Sequence, residues 1–251
     1  SQLNFDRKEA GKRFGESGNE YERIKIAGNT FDYPFIHGKA IQTVGGYSFT
    51  SCSDEAVENG SVALEEYPIA DYILGLEKTD GNLSRATYYK TFSSSMQRAL
   101  TATAGRAAIY WSAVLHRQRH ERLARHREFT QNILKYRFDS SLQVSGEHIG
   151  IQGLGRILSI PRLPNERAYP VTTPDCIRPM ATAFPVMTYT GRNLPAAVAY
   201  KGNDYRTFII VISFESIPGR SRQNSGYGIQ FCISFPPVMQ GCTENNGNLD
   251  K

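Results

Sequence analysis

Proton abstraction beside a carboxylate needs a base and a group that neutralises the acid, and Asn29, Tyr33, His37 and Arg206 are suitable types for it. His37 equally suits local packing or capping on the early turns of a helix, and Tyr33 with Phe35 suits a core or rim aromatic. Zinc-dependent amide hydrolysis instead needs two or three His and a carboxylate around an open metal position. The histidines are His37, His116, His120, His126 and His148; His116 and His120 have i, i+4 spacing, but no Glu follows the first as in H-E-x-x-H, so no metal ligand is assigned. A cysteine nucleophile needs a G-x-C-x-G elbow after a strand. Ser112-Ala113 supplies no Cys and no flanking Gly, and Cys52 sits between Ser51 and Ser53 without an elbow. Gly11-Lys12 and Gly191-Arg192 are not P-loops and the GxGxxG fingerprint is missing, so no cofactor is expected.

These side chains need elements to position them. Residues 34–46 suit a helix that begins at Pro34 and stops at Gly45-Gly46. Residues 47–51 alternate as a strand, and 54–59 read as a short helix or turn. Residues 67–75 form a mostly apolar run of the kind a buried parallel strand shows. Phe92, Met96, Leu100 and Ala104 share one helix face; residues 107–114 are a second buried strand, and 128–136 a further helix. This alternation predicts an α/β domain with a layered, mostly parallel sheet. Residues 139–180 are turn-rich, and three runs (184–189, 196–200 and 207–213) predict an antiparallel C-terminal extension. The expected division is an irregular N-terminal segment of a truncated domain over 1–23, one domain over 24–217, and an aberrant or disordered tail over 218–251. If the strands run parallel, Ser53, Asp54, Glu77, Lys78, Ser112 and Glu215 gather along one sheet edge, joined by Asp32 and His37, as a ligand-binding crevice. Loop polarity and helix capping explain the same residues more plainly, Asp54 above all.

The 251 residues carry net charge +5, with 40% hydrophobic and 21% charged residues. That length fits one large domain or two small ones. No apolar run reaches the ~20 residues that span a bilayer, and no signal peptide is visible. The charge concentrates in 116–127, HRQRHERLARHR, where five arginines face Glu121 alone; a basic helix for nucleic acid and a solvated helix face are both open readings. Cys52, Cys176, Cys232 and Cys242 form no C-x-x-C; isolated thiols and a Cys232–Cys242 bridge both remain open.

Six words in order carry a family resemblance: IAGNTFDYPFIHGKAI (26–41), YSFTSCSDEAVENG (47–60), ADYILGLEK (70–78), YKTFSSSMQRAL (89–100), EFTQNILKYRF (128–138) and AVAYKGNDYRTFIIVISFESI (197–217). The chain resembles one region of large secreted bacterial proteins labelled xanthan lyase or N-acetylmuramoyl-L-alanine amidase, which often carry fibronectin type III or golvesin C-terminal-like modules. The resemblance implies a flavodoxin-like or class I amidotransferase-like sheet. It also implies an extracytoplasmic, accessory, non-catalytic domain that serves polysaccharide or peptidoglycan beside neighbouring domains of a longer chain. The alternative it implies is part of a lyase or amidase catalytic unit, with His37, Tyr33 and Arg206 as candidates.

Two stretches depart from that family. Between Trp111 and Glu128 the family pattern is a loop such as SGAYIGSD. LHRQRHERLARH can be encoded so that reading one nucleotide later gives FIGSDMNAWPG, which contains IGSD. The expectation is a shifted reading frame here, with AGRAA (104–108) and the tail after Ile217 also atypical. The basic segment then gives no support to nucleic-acid binding, and neither nucleic acid nor a membrane is expected as a partner.

Overall fold

The computed structural model describes residues 2–6, 37, 49–67, 69–75, 93–104, 108–113, 124–163, 170–171, 173–212 and 214–217. The strands are β1 (Gln2–Asp6), β2 (Phe49–Ser53), β3 (Ile69–Gly75), β4 (Ala108–Ala113), β5 (Tyr136–Ser141), β6 (His148–Gly153), β7 (Arg156–Pro161), β8 (Asp175–Pro179), β9 (Phe184–Tyr189), β10 (Pro195–Lys201) and β11 (Arg206–Ile210). The α-helices among the described residues are α1 (Asp54–Glu58), α2 (Ser94–Ala104) and α3 (Ala124–Asn132). Nine strands form one sheet in the order β2-β1-β3-β4-β11-β10-β9-β6-β7, and β5 pairs with β8 in a second.

The expected layered, mostly parallel sheet of flavodoxin-like or amidotransferase-like kind is corrected by these pairings. Among the described residues, only β1–β2, β1–β3, β3–β4 and β4–β11 are parallel. The other five pairings among the described residues are antiparallel. The physical reason lies between residues 136 and 201. Six short strands there are joined by turns and loops, with no crossover helix among the described residues, and a parallel return requires such a crossover. The β6–β7 connection is a two-residue turn in which Leu154 has φ 51° and Gly155 φ 73°. Positive φ at both centres matches the twist of a hairpin. The opening residues, expected to be irregular, supply β1 and sit between β2 and β3.

Alternation along the central strands sends side chains to two cores. Tyr72, Val198, Ile209 and Val211 pack with Met96 and Leu100 of α2 and Phe129 of α3. Ala197, Ala199, Phe208 and Ile210 pack on the other face with Ile149, Ile151, Leu158, Ile160 and Phe214. The α2 N-terminus is capped by Ser93, whose Oγ accepts the Met96 N–H at 3.0 Å and donates to Glu58 at 2.5 Å, tying α1 to α2. α3 ends four residues earlier than predicted. Lys135 takes φ 63°, and Tyr136 enters β5 instead of closing a helical turn. Among the described residues no helix is long and apolar enough to cross a membrane.

Candidate functional site

β1, β2, β3, β4 and β11 are co-directional, and their registers define rows across the sheet. One row near the carboxyl ends reads Ser53, Asp6, Ile73, Ser112, Ile210. It places the backbones of Ser53 and Ser112 at one level, about 14 Å apart at the usual strand spacing. Asp54 opens α1 directly after β2, and Glu215 lies in the 3-10 turn Phe214–Ser216 after β11. Asp32, Tyr33, Glu77 and Lys78 lie outside the described residues, as do the Pro34–Gly46 helix (His37 excepted), most of segment 116–127, Cys232, Cys242 and the tail over 218–251.

The side chain that the structure places most fully is His37. It is buried, and its Nδ1 lies 2.7 Å from Oδ2 of Asp71, itself buried on β3. The edge of Phe214 meets the imidazole ring at a centroid distance of 4.9 Å and 61°. Such a carboxylate contact selects the ring's tautomer and orientation, as it does for a catalytic base. Here both side chains of the pair are fully buried. The same geometry is that of a polar pair within the core.

Arg206 does not join the row of Ser53 and Ser112. It starts β11, level with Ile69 and Ala108, four residues before the row that holds Ser112. Along the strand that is about 13 Å. Asp71 was missed from sequence because it sits inside the apolar run 67–75. A signal was available: a lone acid in a strand buried on both faces must be paired. Asp6 was missed because its segment showed no period.

A second polar cluster joins the two sheets. Ser141 Oγ donates to Asp175 Oδ1 at 2.7 Å, and the Tyr189 hydroxyl donates to the Asp175 carbonyl at 2.6 Å. Burial pushes the Tyr189 hydroxyl well above the ordinary tyrosine range. Burial likewise raises the Cys176 thiol, with smaller upward contributions from Asp139 and Asp175. A reactive cysteine needs the reverse, an electropositive and partly exposed setting. Cys176 is a free thiol. Among the described residues no group of three His, Cys, Asp or Glu could hold a metal ion.

No protein-family model matches the sequence, and no curated protein matches it. Solved structures share the fold. Exo-β-1,4-mannosidase Op5Man5 from Opitutaceae bacterium strain TAV5 superposes with TM-score 0.52 at 8% identity, over 93% of this chain and 36% of that one. A cold-adapted β-galactosidase from Rahnella sp. R3 gives TM-score 0.52 at 11% identity, over 93% and 31%. A β-galactosidase from the haloarchaeon Halorubrum lacusprofundi gives TM-score 0.52 at 7% identity, over 93% and 30%. This is a likeness of fold alone. The chain spans about a third of the length of these structures.

Proposed function

We propose that this chain is an accessory, non-catalytic domain of a longer protein that acts on carbohydrate polymers, extracytoplasmic as the family resemblance implies. The observation that carries the reading is the partial coverage. Three glycosidases contain this fold as about a third of their length, leaving most of each chain outside the shared fold. The buried His37–Asp71 pair supports the non-catalytic half of the reading, because a general base must come within hydrogen-bond reach of the proton it takes. The resemblance to secreted xanthan lyase and amidase proteins points to the same substrate class, with polysaccharide or peptidoglycan and neighbouring domains as partners.

The test is an activity assay of the purified chain on xanthan, peptidoglycan, and aryl β-mannoside and β-galactoside. No turnover above a heat-inactivated control is expected on any of them. Turnover above that control on any of them overturns the non-catalytic reading and makes the chain part of a catalytic unit.

A further inference from the structure

We propose that the outward face of β9, β6 and β7 is a glycan-binding groove. This deepens the accessory-domain reading and rests on it. The argument begins with strand alternation. In β6, Ile149 and Ile151 are buried while Gln152 is exposed. In β7, Leu158 and Ile160 are buried while Ile157 and Ser159 are exposed, and in β9 Met187 and Tyr189 are buried while Thr188 between them is half-buried. The exposed set therefore shares the sheet face that turns away from the core.

Register then aligns three of these residues in one row. Gln152 pairs with Ile157 on one side and with Thr188 on the other. Ile157 and Thr188 are thus two strand spacings apart, roughly 10 Å. Around the row lies a shallow, mostly open depression of about 500 Å³, lined also by Arg156, Pro185 and Val186. Its floor is kept low by Gly153, where a Cβ would come within 2.2 Å of the Val186 carbonyl oxygen. β9 can lie directly against the hairpin only because that Cβ is missing.

The lining chemistry selects the ligand. The Gln152 amide and the Thr188 hydroxyl each both donate and accept, which is what sugar hydroxyls require. Arg156 adds donors, and the lining contains no carboxylate, so an acidic sugar is tolerated as well as a neutral one. Ile157 is 74% exposed and, with Pro185 and Val186, offers an apolar strip for the C–H face of a pyranose ring. A row of contacts across successive strands repeats on the scale of neighbouring sugar rings, so the occupant is a polymer segment and not a single sugar.

The test is affinity electrophoresis of the full chain through gels containing xanthan, galactomannan or soluble peptidoglycan fragments. The wild type is expected to be retarded by at least one. Gln152→Ala and Ile157→Asp should each weaken that retardation about tenfold, the equivalent of roughly one hydrogen bond or apolar contact. Both side chains are exposed, so both variants should keep the wild-type melting temperature. If the wild type binds and these variants bind equally well, the groove is overturned while the accessory reading stands. Loss of binding in Ser53→Ala or Ser112→Ala alone moves the site to the carboxyl ends of the parallel strands and also overturns the groove. A wild type that none of the three polymers retards removes the accessory reading and the groove together.

Discussion

An acid buried in an apolar strand is tolerated only with a partner, and Asp71 has the imidazole of His37 at 2.7 Å. Removing one member of a buried pair leaves the other in the core without its counterpart, which costs about 3–5 kcal/mol. His37→Ala is therefore expected to destabilise the chain by roughly that amount in urea unfolding. Asp71→Asn in the same background should recover part of the loss, because a neutral amide is cheaper to bury than a carboxylate. A double-mutant cycle reads the coupling directly. A His37→Ala loss below about 1 kcal/mol, the scale of an exposed pair, contradicts the buried geometry. At this scale the sequence was partly legible. His37 stood out as a chemical type, yet nothing in its spacing named Asp71 as its partner, because 34 positions separate them. Arg206 stood out too, but its place at the start of β11 follows from strand register, which one sequence does not display.

Between elements, the junction of α3 with the β10–β11 hairpin shows how a helix end is fixed. The Tyr205 hydroxyl lies 3.0 Å from the Ile133 carbonyl and 3.2 Å from that of Asn132, and Thr207 Oγ1 donates to the Leu134 carbonyl at 3.1 Å. Lys135 Nζ sits 5.1 Å from the centroid of the Tyr200 ring. The two hydroxyls supply donors to carbonyls that a helix C-terminus leaves unsatisfied. Burial, aided by Tyr200 and Asp204, pushes the Tyr205 hydroxyl up to about 12. A raised folded-state value means that the folded chain holds this proton after the unfolded chain has released it. The stabilisation is complete below the ordinary tyrosine value near 10 and is lost as pH rises towards 12. Tyr205→Phe should cost about 1 kcal/mol at neutral pH. It should also flatten the fall of melting temperature between pH 9 and 11.5 relative to the wild type. Parallel pH profiles for the two proteins contradict this account. Periodicity located α2 and the strands on either side of it closely, because Met96, Leu100 and Ala104 repeat at one helix face. It misplaced α3 because the backbone reversal at Lys135 has no periodic signature.

Across the whole molecule, β11 is the seam. It pairs in parallel with β4 and antiparallel with β10, and it contributes Ile209 to one core and Phe208 and Ile210 to the other. A strand shared in this way should couple the two halves of the sheet into one cooperative unit. Ile209→Ala is expected to cost about 2–5 kcal/mol. Fluorescence of Trp111, the chain's single tryptophan and a residue of β4, should report the same unfolding midpoint as far-UV circular dichroism, in the wild type and in the variant. Separate midpoints for the two probes would make the halves independent units.

The sequence by itself determined β3, α2 and β4, the meander formed by β9, β10 and β11, and the lack of any built-in elbow, P-loop or dinucleotide fingerprint. Those features depend on neighbours within a few residues, where apolar period and turn chemistry act directly. Only the tertiary structure decided that the antiparallel pairings outnumber the parallel ones, that the opening residues enter the sheet beside β3, that His37 faces Asp71, and that Gln152, Ile157 and Thr188 share a row. Each of these is a pairing between distant segments, set by strand register and by which apolar faces can be buried together. No window of a single sequence contains that information.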